Sequence, residues 1–201
     1  MSESDSKSVD PRIRRSRLLL QEALLRLLKR KTFEDVSIQD VAEEATVNRA
    51  TFYAHYPDKY ALLECTTASR FQELLDERGV VFDGTCSTAL RMMLVGICDY
   101  LEATRAMQCG EQLSMDPHLE SAITRVVRQI ILSSLKKQSW TSSISTEMTA
   151  ATVTWALYGA AKEWVRTPNR VPAERIADDI SRVVFPLLQP ESARANFART
   201  E

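Results

Sequence analysis

The sequence predicts an all-α protein in two parts, a small N-terminal three-helix domain with a helix-turn-helix and a larger C-terminal helical domain. Three observations predict it. The 201 residues include only five glycines and seven prolines, so long stretches of Leu, Ala, Glu, Arg and Met run without a breaker. Apolar residues in those stretches recur at helical spacing. The stretch from Ser37 to Lys59 reads as two short helices joined by a turn too short for anything else.

Residues 1–11 are polar and Ser-rich at their start and are expected to be a disordered arm. From Pro11 to about Arg30, Ile13, Leu20, Ala23, Leu24, Leu27 and Leu28 keep the helical period, with Arg12, Arg14, Arg15 and Arg17 at the start. Phe33 and Val36 are expected to plug the gap to the next helix. Ser37 with Asp40 makes a capping-box-like start, because the hydroxyl accepts an orphan amide while the carboxylate sits at the positive end of the dipole. A helix follows from about Ile38 to Glu44, with Val41, Ala42 and Ala45 on one face and Val47 as the plug of the turn. Asn48 is a good N-cap for a second helix through about Tyr53. In such a motif the second helix lies in the major groove, with its first residues at base edges.

Pro57 stops that helix, because a proline disfavours helical geometry in the residue before it. Asp58 caps a long helix to about Arg78 with Tyr60, Leu63, Thr67, Phe71, Leu74 and Leu75 inward, a lever shared by the two halves. After a Gly79–Thr85 loop, helices are expected over about Ser87–Ala103 and His118–Lys137, with an irregular segment between them, broken by Gly110 and stopped by Pro117. Gln138–Ser145 is a polar loop containing Trp140. The last two helices are Thr146–Arg166, rich in small residues that let another helix approach, and the amphipathic Pro172–Leu188. The division is therefore 1–11 arm, 12–57 helix-turn-helix domain, 58–189 helical domain and 190–201 frayed tail.

The formal charge of −1 hides an uneven distribution, since Pro11–Lys31 holds eight Arg or Lys against the single Glu22. Cations near a helix N-terminus are disfavoured by the dipole, which a docked polyanion would offset; a solvated basic face is the competing reading. The cysteines, Cys65, Cys86, Cys98 and Cys109, lack C-x-x-C spacing, and neither a secretory signal nor a membrane-length apolar run is present. A reduced, cytoplasmic setting is the expectation, with the thiols read as small apolar residues or, less readily, as a redox sensor. His55 and His118 are the only histidines, and no metal-ligand spacing, phosphate loop or nucleophile elbow occurs. The chain is expected to be no enzyme and to need no cofactor.

Ser37, Val41-Ala42, Ala45-Thr46-Val47-Asn48, Ala50-Thr51-Phe52-Tyr53, His55-Tyr56 and Asp58-Lys59 together resemble the helix-turn-helix of the TetR family of one-component regulators. The match runs from Arg14 to about Leu63. Thr46 stands where the family has glycine in the turn, and Ala50 replaces another glycine. A β-branched residue is poor at positive φ, so either the turn avoids that region or Thr46 is strained.

The resemblance implies an N-terminal DNA-binding domain and a C-terminal ligand-binding and dimerisation domain. It carries DNA contact onto Ser37, Gln39, Arg49, Thr51, Tyr53, His55 and Lys59. Arg49 can fork onto guanine, Thr51, Tyr53 and Lys59 suit phosphate oxygens, and the small Ala50 can touch a thymine methyl. His55 is equally readable as a packed histidine, whereas Phe52 and Tyr56 read as core. The family binds a small effector between its middle helices, for which Met93, Ile97, Met107, Met115, Trp155 and Tyr158 are candidates; a solid core is the alternative. The family pairs its last two helices with a symmetry mate, which points to Ala160, Trp164, Ile180, Val184 and Leu187 for dimerisation. The expected function is a ligand-responsive repressor, a homodimer on a palindromic double-stranded operator, released by a small apolar effector and independent of membranes. The rivals are a helical protein whose C-terminal domain docks a protein partner, and a helical enzyme.

Overall fold

The computed structural model describes residues 10–107, 115–137 and 143–189, and within them the secondary structure is helical throughout. The helices are α1 (Pro11–Leu28), α2 (Ile38–Glu44), α3 (Arg49–His55), α4 (Lys59–Glu77), α5 (Ser87–Met107), α6 (Asp116–Lys137), α7 (Thr146–Arg166) and α8 (Ala173–Val184), followed by a 3-10 turn, Phe185–Leu188. The expected loop tryptophan Trp140, Cys109, the arm before Asp10 and the tail from Pro190 lie outside the described residues.

Two compact units divide the chain. The first takes the residues up to Thr66 and, from later in the chain, Met107 and Met115–His118; the second takes Thr67–Ala106 and the chain from Leu119. Both α4 and α6 therefore contribute residues to each unit.

In the first unit, Leu20, Ala23, Leu24 and Leu27 of α1 are buried together with Phe33, Val36, Val41, Ala42, Phe52, Tyr56, Leu62 and Leu63. Ile13 stays 42% exposed, so the buried stripe of α1 begins at Leu20, about two turns later than its apolar pattern suggests. Tyr60 is also turned out, at 39% exposure, contrary to the inward position expected for it. Its ring instead stacks on that of His118 at 4.7 Å, and His118 Nδ1 meets the Glu64 carboxylate at 2.8 Å.

The second unit has its own core, built from Phe71 and Leu75 of α4, Leu90 to Cys98 of α5, Ile123, Val127, Ile131 and Leu135 of α6, and Ala150 to Trp164 of α7, with Ala177, Val184 and Leu188 closing it. Gly96 sits where a Cβ would come within 3.0 Å of Leu75 Cδ2, so the glycine lets α4 and α5 approach. Gly79 ends α4 at φ +63°, with its N–H donating to Asp76 O at 2.9 Å and that of Val80 to Leu75 O at 3.0 Å. These two bonds are a Schellman closure.

Two prolines act differently from expectation. Pro117 opens α6 rather than ending the preceding segment, because in the first turn its missing N–H costs nothing. Pro186 cuts α8 short of Leu188 and leaves the 3-10 turn.

Candidate nucleic-acid interface

The motif around α2 and α3 is held by its caps. Ser37 Oγ accepts from the Asp40 amide at 3.0 Å, and Asp40 Oδ2 accepts from the Ser37 amide at 2.9 Å, a complete capping box. Lys31 adds a 2.9 Å ion pair to Asp40. That pair, with the hydrogen bonds from Ser37, holds the Asp40 carboxyl far below the usual carboxylate range. Asn48 Oδ1 accepts from the Ala50 amide at 2.9 Å and starts α3.

Between the two helices Thr46 sits at φ +55°. Its N–H donates to Glu43 O at 3.0 Å and that of Val47 to Ala42 O at 2.9 Å. This is the same closure that Gly79 makes, built here on a β-branched residue. The turn therefore keeps the left-handed geometry and Thr46 carries the strain.

Phe52 is fully buried and anchors α3. The opposite face presents Arg49, Ala50, Tyr53 and Ala54 to solvent, with Thr51 and His55 half-buried at its margins. Arg49 Nη2 donates to Tyr53 Oη at 3.2 Å, and its guanidinium lies 5.6 Å over the Tyr53 ring. Gln39, exposed on α2, donates to Glu43 Oε1 at 2.6 Å.

Lys59 has a different task from the phosphate contact expected of it. Its Nζ donates to the carbonyls of Phe33, Glu34 and Val36 at 2.9, 3.0 and 2.9 Å, and lies 4.8 Å over the Phe33 ring. All three donors of the ammonium are thus spent on the loop before α2. No sequence pattern signals this, because the loop carbonyls are backbone atoms that any residue supplies.

Part of the basic run is also neutralised within the protein. Glu44 takes Arg26 Nε at 2.7 Å and Arg30 Nη2 at 2.5 Å, which together hold its carboxyl below the ordinary range. Arg12, Arg14, Arg15 and Arg17 are left exposed on the first turns of α1. The Asp10 side chain accepts from the Arg12 amide at 2.9 Å and caps that helix.

The other candidate residues are dispersed. Met93, Ile97 and Tyr158 share the core of the second unit, whereas Met115 is buried in the first. Met107 ends α5, but its side chain lies outside the described residues. Trp155 is 54% exposed and cannot line an interior pocket of its own chain.

Of the residues expected at a dimer seam, Trp164 and Val184 are buried in their own core. Trp164 Nε1 donates to Val171 O at 2.7 Å under the Arg170 guanidinium, which pins the turn between α7 and α8. Ala160 and Ile180 are half-buried and Leu187 is exposed. Burial pushes the Cys98 thiol up to about 12, while hydrogen bonds from Thr88 draw the exposed Cys86 below its ordinary value. Among the described residues no cluster of His, Cys, Asp or Glu could hold a metal, and no helix is long and apolar enough to cross a membrane.

Residues 20–65 match the family of bacterial regulatory proteins, tetR family. Over 71 residues the chain is 35% identical to the uncharacterized HTH-type transcriptional regulator YxbF of Bacillus subtilis (strain 168), an alignment covering 35% of this chain and 19% of that protein. The chain thus spans about a fifth of the length of that relative. Among solved structures, a TetR transcriptional regulator from Streptococcus agalactiae 2603V aligns with a TM-score of 0.55 at 21% identity, over 87% of this chain and 96% of that one. The Thermus thermophilus FadR, a TetR-family repressor in complex with lauroyl-CoA, aligns with a TM-score of 0.57 at 19% identity, over 84% of this chain and 92% of that one. At these identities the structures speak for the fold alone, an all-helical one with a helix-turn-helix near the N-terminus. Residues 20–65 are thus similar to the N-terminal domain of bacterial regulatory proteins of the tetR family.

Proposed function

We propose that the protein is a transcriptional repressor that reads a palindromic operator as a homodimer and releases it when a small, mostly apolar molecule enters the C-terminal unit. The observation that carries this reading is the two-sided character of α3. One side is tied down by the fully buried Phe52, and the other offers Arg49, Ala50 and Tyr53 to solvent. A helix so anchored presents its first residues to the edges of the bases, where an arginine reads guanine. The exposed arginines of α1 and the Thr51 hydroxyl are placed to take phosphates.

Dimerisation is supported by an apolar stripe that the single chain leaves uncovered. Met148 (61%) and Trp155 (54%) of α7, Val183 (73%) of α8 and Leu187 (37%) of the 3-10 turn are exposed. Ile176, Ile180, Val183 and Leu187 follow helical spacing along α8 and its 3-10 extension, flanked by the half-buried Ala156 and Ala160 of α7. Large apolar side chains exposed in such number on neighbouring elements are what an interaction site would cover. The lauroyl-CoA held by the Thermus thermophilus protein supports an acyl-sized molecule as a reasonable guide to effector size. The route from effector to α3 is α4, which contributes residues to both units.

Light scattering combined with fluorescence anisotropy on a labelled duplex tests the reading. The expected result is a dimer that binds DNA with an affinity falling steeply as salt rises. A monomer of 22.7 kDa with no salt-dependent DNA binding would refute it and favour a partner-docking protein.

A further inference from the structure

Hydroxyls inside helices ordinarily bond back to the carbonyl one turn earlier. Thr104, Thr124 and Thr152 do so to Tyr100, Glu120 and Met148 at 2.8, 2.6 and 3.0 Å. Ser134 of α6 and Thr154 of α7 do not: both oxygens are fully buried and, among the described residues, have no hydrogen-bond partner. The residues themselves are 4% and 1% exposed. Leaving such a group dry and unpaired is costly, so it needs an explanation.

Their placement is not scattered. Lys162 pairs with Glu120 at 2.7 Å and Lys136 with Glu147 at 3.4 Å, which sets α6 and α7 antiparallel and in register. That register brings Ser134 level with Thr149, itself buried. Thr154 lies about five residues further along, or about 7–8 Å at the helical rise. The surroundings are apolar, for Ile131, Val127, Val153 and Leu157 belong to the same core. The buried polar residues described in this unit are Thr67, Ser134, Thr149, Thr154 and Ser181, and none of them is charged.

We infer that Ser134 and Thr154 are polar anchors of the effector site, and that the effector is an uncharged, mostly apolar molecule whose hydrogen-bonding oxygen, as in an alcohol, ketone or ester, meets one or other of these hydroxyls. This rests on the reading of the C-terminal unit as effector-binding. An ionised carboxylate or phosphate is disfavoured at this depth, because among the described residues no buried cation is there to compensate it. The hydroxyls are retained at a cost to the ligand-free protein because the bound molecule satisfies them.

The test uses the full chain, its Ser134→Ala, Thr154→Val and double variants, and the probes 1-octanol, octane and octanoate. Without a probe, each single variant should melt about 2–4 °C higher, since an orphan hydroxyl has been removed. Lower melting of both variants would overturn the inference, because the hydroxyls would then serve the fold. In calorimetry the double variant should bind 1-octanol about tenfold more weakly relative to octane than the wild type does, and octanoate should bind the wild type more weakly than 1-octanol. Equal shifts for the two neutral probes, or tightest binding by octanoate, would overturn the inference while leaving an apolar effector site standing. Binding of none of the probes would overturn both.

Discussion

Lys59 donates to the carbonyl of Val36 at 2.9 Å, and the same ammonium reaches Phe33 O and Glu34 O. One side chain at the start of α4 thereby closes the loop between α1 and α2. Removing it leaves three carbonyls without their donor and takes a cation off the Phe33 ring. Lys59→Met should cost about 1–3 kcal/mol of stability, read as a lower chemical-denaturation midpoint. A salt slope of DNA binding changed by about one unit with unaltered stability would instead make Lys59 a phosphate contact.

Thr46 holds a left-handed position that glycine occupies without penalty. Thr46→Gly should therefore stabilise the protein by about 1 kcal/mol, the gain from relieved strain being reduced by the freedom glycine adds to the unfolded chain. Thr46→Val keeps the branching and should not stabilise. Denaturant melts of the two variants decide it, and a loss of stability in Thr46→Gly would contradict the strain.

Arg49 is poised on Tyr53 by a 3.2 Å hydrogen bond. On the best operator Arg49→Ala should lose about 1–3 kcal/mol and relax the preference at one base pair per half-site. Tyr53→Phe removes only the hydroxyl that orients the guanidinium, so it should weaken that preference less. Binding to a panel of single-base operator variants checks both. Unchanged affinity and preference in Arg49→Ala would rule out the docking of α3.

Val183 and Val184 are adjacent on α8, about 100° apart around its axis, and one is 73% exposed and the other 4%. Val183→Glu should leave the chain folded and, with a charge forced into the proposed seam, shift dimer to monomer at low micromolar concentration. Val184→Glu should unfold the second unit instead. Sedimentation velocity beside far-ultraviolet circular dichroism separates the outcomes, and a Val183→Glu protein that stays dimeric would move the seam elsewhere.

The contrast between these two valines shows what a sequence can carry. Period and caps locate the helices well: Ser37 with Asp40, Asn48, and the 21-residue run of α7 appear where their chemistry predicts. Which apolar residue turns inward is harder to read, because the apolar stripe of α8 is broader than the strip that packs on the core, and only packing decides which part of it is covered. Tyr60, Trp155 and Ile13 face out for the same reason. The task of Lys59 and the orphaned hydroxyls of Ser134 and Thr154 are invisible to pattern, since both depend on atoms brought together from distant parts of the chain.

On the proposed function, α3 reads a two-fold symmetric sequence. Its most direct test is selection of protein-bound fragments from a random pool of duplex DNA, sequenced over successive rounds. The expected result is enrichment of a palindrome whose half-sites lie about 34–36 Å apart, or a multiple of that, with a guanine at one position of each half-site. Recovery of fragments with no common sequence, or of a single asymmetric site, would contradict it.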